Sequence, residues 1–213
     1  PLYSSAASDV YKRQVLLCSP NNPTGTPLSL SVIEAAYEAT DGVLVVDEAY
    51  AEFSGDESAT SLLPGRPRLL ISRTMSKAFA FAGARVGYLA ADPGAIDALR
   101  LVRLPYHLSS FTQAAARAAL GHSELMLKTV ADIRYQRDRL SLELTELGFE
   151  VYRSEANFVL FRGLKNSAES FESLLSQGIL VRDVGIANTL RVSAGTESET
   201  SRFLEAASKL AKL

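Results

Sequence analysis
Val43-Leu44-Val45-Val46-Asp47-Glu48-Ala49-Tyr50 is the stretch that decides the fold. An unbroken apolar run closed by an acid reads as a buried strand of a parallel sheet. Similar short runs lie on either side. Val15-Leu16-Leu17-Cys18 ends at Ser19-Pro20, Leu69 to Ser72 forms a third run, and Val86 to Ala90 a fourth. Helix signals separate them. Ser31-x-x-Glu34 has the spacing of a capping box opening a helix to about Ala39, and Pro93 stands near the start of another, ending about Val102. Short strands alternating with helices predict an α/β layer with a largely parallel sheet. Such sheets bind ligands beyond the carboxyl ends of their strands. Asn22, Asp47 and Lys77 each lie just past a strand end, so they are expected on one edge.

The second half changes character. Phe111 to Gly121 is alanine-rich and helical, and Ser123 to Leu147 reads as one long charged helix stopped by Gly148. Phe149–Tyr152, Asn157–Phe161, Ile179–Arg182 and Thr189–Ser193 read as strands. Ser167 to Gln177 is helical between them, and Thr196-x-x-Glu199 caps a last helix. The expected organisation is a large α/β domain over residues 15–122, then a long helix and a smaller α+β domain over 123–213. The opening PLYSSAASDVYKRQ, residues 1–14, is small and polar without periodicity, and is expected to be a tail foreign to the fold.

Composition narrows the class. Of 213 residues, 47% are hydrophobic and 22% charged, as in globular proteins. The formal net charge of -2 favours neither nucleic acid nor an anionic membrane as partner. No apolar run approaches the ~20 residues that span a bilayer. Cys18 is the single cysteine, which excludes a disulfide within the chain and fits a reducing, cytoplasmic setting. No spacing of ligand residues indicates a metal site.

The chemistry lies in Ser72-Arg73-Thr74-Met75-Ser76-Lys77, with Arg85 eight residues beyond the lysine. One lysine after an apolar strand, among hydroxyls and near an arginine, suits a phosphate-bearing aldehyde held covalently through an amine: pyridoxal 5'-phosphate. That cofactor is an electron sink for charge left at a substrate α-carbon, and it asks four things of a protein. Lys77 offers the amine. Asp47 offers a carboxylate to keep the ring nitrogen protonated, since a nearby negative charge raises the pKa of a cation. Asn22 and Tyr50 are candidate partners of the ring hydroxyl, and Thr74, Ser76 and Arg85 can form a phosphate cup.

Ser19-Pro20-Asn21-Asn22-Pro23-Thr24-Gly25, Asp47-Glu48-Ala49-Tyr50, Thr74-Met75-Ser76-Lys77 and Arg85-Val86-Gly87-Tyr88 follow the order and rough spacing of fold-type I aminotransferases, which residues 15–213 resemble. Within them the chain most resembles histidinol-phosphate aminotransferases, through Ser76-Lys77-Ala78-Phe79, Arg103-Leu104-Pro105-Tyr106, Val181-Arg182-Asp183 and Leu190 to Thr196. The resemblance implies part of a mostly parallel three-layer large domain plus a smaller C-terminal α+β domain. It implies that Lys77 carries the cofactor and shuttles a proton, Asp47 pairs with the ring nitrogen, and Asn22 and Tyr50 contact the ring hydroxyl. Thr74, Ser76 and Arg85 would belong to the phosphate cup. Arg191 would bind the α-carboxylate of glutamate or 2-oxoglutarate, and Arg182 the substrate phosphate.

The implied reaction moves an amino group between histidinol phosphate and 2-oxoglutarate, in histidine biosynthesis, by a cytoplasmic homodimer whose partners are a small amino donor and a 2-oxo acid. Family members begin well before the Asn22 turn, so the chain is expected to be an incomplete, poorly active fragment with an exposed apolar sheet edge. Three other readings use the same residues: an aromatic-amino-acid aminotransferase, a phosphothreonine-type decarboxylase, and a non-catalytic remnant. Several side chains have plain structural readings. Tyr50 suits core packing, Arg182 an exposed strand position, Tyr106 and His107 either the lining of the site or a structural role, His122 a solvated helix junction, and Cys18 a small buried hydrophobe. Glu48 is left unassigned.

Overall fold
The computed structural model describes residues 13–211. The expected tail over residues 1–14 therefore lies outside the described residues, apart from Arg13 and Gln14. The chain divides into two units. The first comprises residues 13–19, Leu28–Ala51 and Asp56–Ser123. The second comprises Pro20–Pro27, Glu52–Gly55 and the chain from Glu124 onward.

In the first unit a four-stranded sheet runs in the order β1-β2-β3-β4. These are β1 (Gln14–Cys18), β2 (Val43–Asp47), β3 (Leu69–Thr74) and β4 (Gly87–Ala91). β1, β2 and β3 are parallel, and β4 closes antiparallel on β3. Along β2, Leu44 and Val46 have no exposure, whereas Val43 is exposed and Val45 half-buried. The apolar run therefore is not buried equally on both faces. Leu44, Val46, Leu69 and Ile71 share a core with Ile33 and Tyr37 of helix α1 (Leu30–Glu38) and with Ala59 and Leu62 of a 3-10 turn. Ile33 and Tyr37 stand four apart and so on one helix face. The cap of α1 corrects the expectation. Ser29, with extended backbone, accepts from the Val32 N–H, while Ser31 lies inside the helix with its hydroxyl 2.9 Å from that of Ser29. Helices α2 (Pro93–Val102) and α3 (Ser110–Gly121) follow.

In the second unit α4 (Ser123–Glu146), less its first residue, leads into β5 (Glu150–Val151), β6 (Phe158–Arg162), α5 (Ser167–Ser176), β7 (Arg182–Asp183), β8 (Thr189–Ser193) and α6 (Glu197–Leu210). The sheet is antiparallel, in the order β5-β6-β8-β7. Val159, Phe161, Leu190 and Val192 enter a core with Leu140 and Leu144 of α4 and with Phe203 and Leu204 of α6. Phe161 meets Phe149 and Phe203 edge-on, with centroids 5.3 and 6.0 Å apart, the arrangement ring quadrupoles favour. β7 is shorter than the expected strand Ile179–Arg182, since only Arg182 and Asp183 pair with β8. The fold is thus α/β with a parallel-rich sheet and a smaller antiparallel one.

Candidate active site
Two parallel strands of the first unit end level, at Cys18 and Asp47, opposite Ser72 of β3, which runs on two residues to Thr74. Asp47 is half-buried there. Its Oδ1 accepts the Ala49 N–H at 3.1 Å and the Ser72 hydroxyl at 3.2 Å, and both bonds hold the carboxylate in one orientation. Ser72 is directly opposite Asp47 in the β2–β3 register. Ser72 carries no local sequence signal for this role; the β2–β3 register selects it.

Beyond β3 the chain makes a turn in which Met75 N–H bonds to Val86, Phe81 N–H to Met75 and Ala80 N–H to Lys77. The Thr74 hydroxyl accepts the Ser76 N–H at 3.1 Å and lies 2.9 Å from the Ser76 hydroxyl. Lys77 is exposed, and its Nζ sits 5.5 Å from the centroid of the Tyr50 ring, within the range of a cation–π contact. Tyr50 itself is buried. Arg85 closes the 3-10 turn Ala82–Ala84 in left-handed backbone geometry. Its guanidinium folds back onto the Ala82 carbonyl at 3.1 Å, and among the described residues it makes no bond to Thr74 or Ser76.

The remaining predicted residues belong to the second unit. Asn22 precedes a cis bond to Pro23 in a turn closed by Asn21 N–H to Thr26 at 2.9 Å and Gly25 N–H to Asn21 at 2.7 Å. Arg191 donates from Nη1 to Asn22 Oδ1 at 2.5 Å, which leaves the amide NH2 of Asn22 as its donor half. The Arg191 guanidinium lies over the Phe158 ring, 4.6 Å from its centroid. Phe158 was not expected in this role, because only the antiparallel register of β6 on β8 places it there. Arg182 is directly opposite Arg191 across β7 and β8. Like charges placed so are unfavourable without an anion to share. Both line a cavity of about 430 Å³ with Phe171, Leu180, Asp183 and Ser193.

Cys18 is half-buried rather than fully enclosed, because β1 is an edge strand of the sheet. Tyr106, His107 and His122 are exposed, His122 as the C-cap of α3. Among the described residues, no group of three or more His, Cys, Asp or Glu side chains is arranged to hold a metal. Nor is any helix long and apolar enough to cross a membrane.

Residues 2–206 match the aminotransferase class I and II family, and the chain belongs to it. Among its relatives is the histidinol-phosphate aminotransferase of Paenarthrobacter aurescens (strain TC1), 58% identical over 197 residues, which are 90% of this chain and 53% of that protein. Two solved structures are similar. The histidinol-phosphate aminotransferase from Clostridium acetobutylicum has 29% identity and a TM-score of 0.83 over 94% of this chain and 64% of that one. The enzyme of the same name from Sinorhizobium meliloti, in complex with pyridoxal-5'-phosphate, has 28% identity and a TM-score of 0.82 over 94% and 57%. The chain spans about half the length of the curated relatives it matches.

Proposed function
We propose that the protein carrying this chain is a transaminase that exchanges an amino group between histidinol phosphate and 2-oxoglutarate, with pyridoxal 5'-phosphate as cofactor. The observation that carries this is the Lys77 ammonium on the face of Tyr50, beyond the same strand edge that bears the half-buried carboxylate of Asp47. Histidinol phosphate rests on the relatives, which are named histidinol-phosphate aminotransferases, and 2-oxoglutarate on the paired arginines suited to its carboxylates.

The residues present fit the cofactor. Asp47 is held by two donors on one oxygen, and among the described residues Oδ2 accepts none, so it can meet a ring N–H. Paired hydroxyls at Thr74 and Ser76 suit a phosphate, with Arg85 adding a charged fork once it leaves Ala82. When bound, pyridoxal phosphate supplies the electron sink for a charge at the substrate α-carbon. Lys77 Nζ holds the cofactor and then carries the proton that leaves the α-carbon. The ring of Tyr50 steadies that amine, and Tyr50 and Asn22 address the ring hydroxyl. Arg191 binds a carboxylate, and Arg182, beside it, a phosphate. A cytoplasmic homodimer is part of the reading, and the lone Cys18 fits a reducing compartment.

The test is borohydride trapping of pyridoxal phosphate followed by peptide mapping, with a coupled assay for glutamate formed from histidinol phosphate and 2-oxoglutarate. Label on Lys77 is expected, with none in Lys77→Ala. Release of carbon dioxide, or preference for phenylalanine over histidinol phosphate, would reject the substrate assignment.

A further inference from the structure
We infer that the ion pair of buried Glu48 with half-buried Arg73 is a positioning device. It pins β2 to β3 in register and so sets Asp47 against Ser72 and Thr74. The inference rests on the cofactor reading above, because it gives those three residues their purpose.

Asp47 is the last residue of β2 and Glu48 the next, its N–H continuing the ladder to the Ser72 carbonyl at 2.9 Å, and Ser72 and Arg73 are consecutive in β3. Consecutive strand side chains point to opposite faces. With Asp47 opposite Ser72 in the register, one face carries the Ser72–Asp47 hydrogen bond at 3.2 Å. The other carries a forked ion pair. Arg73 gives Nη2 to Glu48 Oε2 at 2.7 Å and Nε to the same oxygen at 2.9 Å. Thr74 lies two residues beyond Ser72 and so shares the face of Asp47. The carboxylate meant for a ring nitrogen and the hydroxyl meant for a phosphate are thus set relative to each other by a contact on the opposite face.

Glu48 is 3% exposed, a burial no carboxylate tolerates without partners. It has them in full. Besides Arg73, its Oε1 accepts the Ala59 N–H at 2.6 Å and its Oε2 the Ser58 hydroxyl at 2.8 Å. Ser58 in turn accepts from Arg73 Nη2 at 2.8 Å, closing a triangle. An ion pair this enclosed adds little net stability over a well-packed apolar pair, since both charges lose their water. Its best-attested use is registry. A slip of one residue between β2 and β3 would turn one member of the pair to the other face and leave the remaining charge unpaired beside Val46 and Ile71. Glu48 and Arg73 therefore act through Asp47 and Thr74 rather than on the reacting atoms.

The experiment separates registry from stability. Glu48→Leu combined with Arg73→Met replaces the pair by apolar groups, and Arg73→Lys keeps the charge but loses the fork. For each, the urea midpoint is measured alongside borohydride-trapped label on Lys77 and the visible absorption of bound cofactor. The double variant is expected to keep its midpoint and to need about tenfold more pyridoxal phosphate for equal labelling, as is common when an outer partner of a binding group is lost. Arg73→Lys is expected to label less well at an unchanged midpoint. If the double variant does not fold, Arg73→Lys decides alone. Variants that label and absorb as the wild type overturn the positioning role and leave the cofactor reading intact. A wild-type chain without label specific to Lys77 overturns both.

Discussion

Gly25 shows how much one residue of a binding turn is constrained. Its φ is +78°, and a Cβ there would stand 2.2 Å from Ser154 Oγ. Its carbonyl also accepts the Glu155 N–H at 2.8 Å, so the turn cannot back away freely. Gly25→Ala is expected to cost about 2–4 kcal/mol, from left-handed strain plus overpacking. Chemical denaturation measures it, and an unmoved midpoint would show that the turn relaxes. At this scale the sequence was legible where chemistry demands a residue type. Lys77, Asp47 and Tyr50 could be named because an amine, a carboxylate and a phenol have particular tasks. Ser72 could not, because a serine has many uses and only its place opposite Asp47 selects one. Arg85 was named for a phosphate but rests on the Ala82 carbonyl of the turn that it closes.

Among elements, α6 follows its sequence signal closely. Thr196 accepts the Glu199 N–H, and Glu199 returns a carboxylate oxygen to the Thr196 N–H at 2.8 Å. Thr196→Ala is expected to lose about 1 kcal/mol, read as a lower melting midpoint of this unit. The segment after β5 carries a pH response. Burial raises the Glu155 carboxyl, but the Gly55 N–H, the Arg137 charge and Arg153 outweigh it and hold the group below its ordinary value. A carboxyl more acidic folded than unfolded adds stability that is complete above the ordinary carboxylate range. That stability is lost as pH falls through the lowered folded value. Glu155→Gln should therefore flatten the acid limb of a melting-temperature profile and leave its slope near neutrality unchanged; equal acid limbs would refute the assignment. Where elements departed from expectation, backbone pairing decided. β7 stops at two residues, Arg182 and Asp183, which pair with Arg191 and Leu190 of β8. α1 begins two residues earlier than its capping spacing indicated because Ser29 already holds the extended cap conformation.

Across the described residues, exposed apolar side chains concentrate in the first unit from the end of α2, through the connecting segment, to the start of α3. Leu101 is 87% exposed, Tyr106 97% and Phe111 89%. The sequence led to an apolar sheet edge, and Leu16 on β1 with Tyr88 and Leu89 on β4 do stand exposed, but the larger display is helical. Surfaces of this kind drive association. The chain is expected to bind a hydrophobic dye and to sediment faster as concentration rises, and Leu101→Glu with Phe111→Glu should reduce both. Concentration-independent sedimentation would contradict it. By itself the sequence determined the order of strands and helices, the α/β class and the identities of the reactive side chains. Hydrophobic run length, capping residues and functional-group chemistry are local properties. Only the tertiary structure decided which serine meets Asp47, that Arg182 and Arg191 stand side by side, that Phe158 lies beneath Arg191, and that Glu48 is buried on Arg73. Those are contacts between strands distant in the chain, set by register, and register follows from how faces bury together rather than from any one segment.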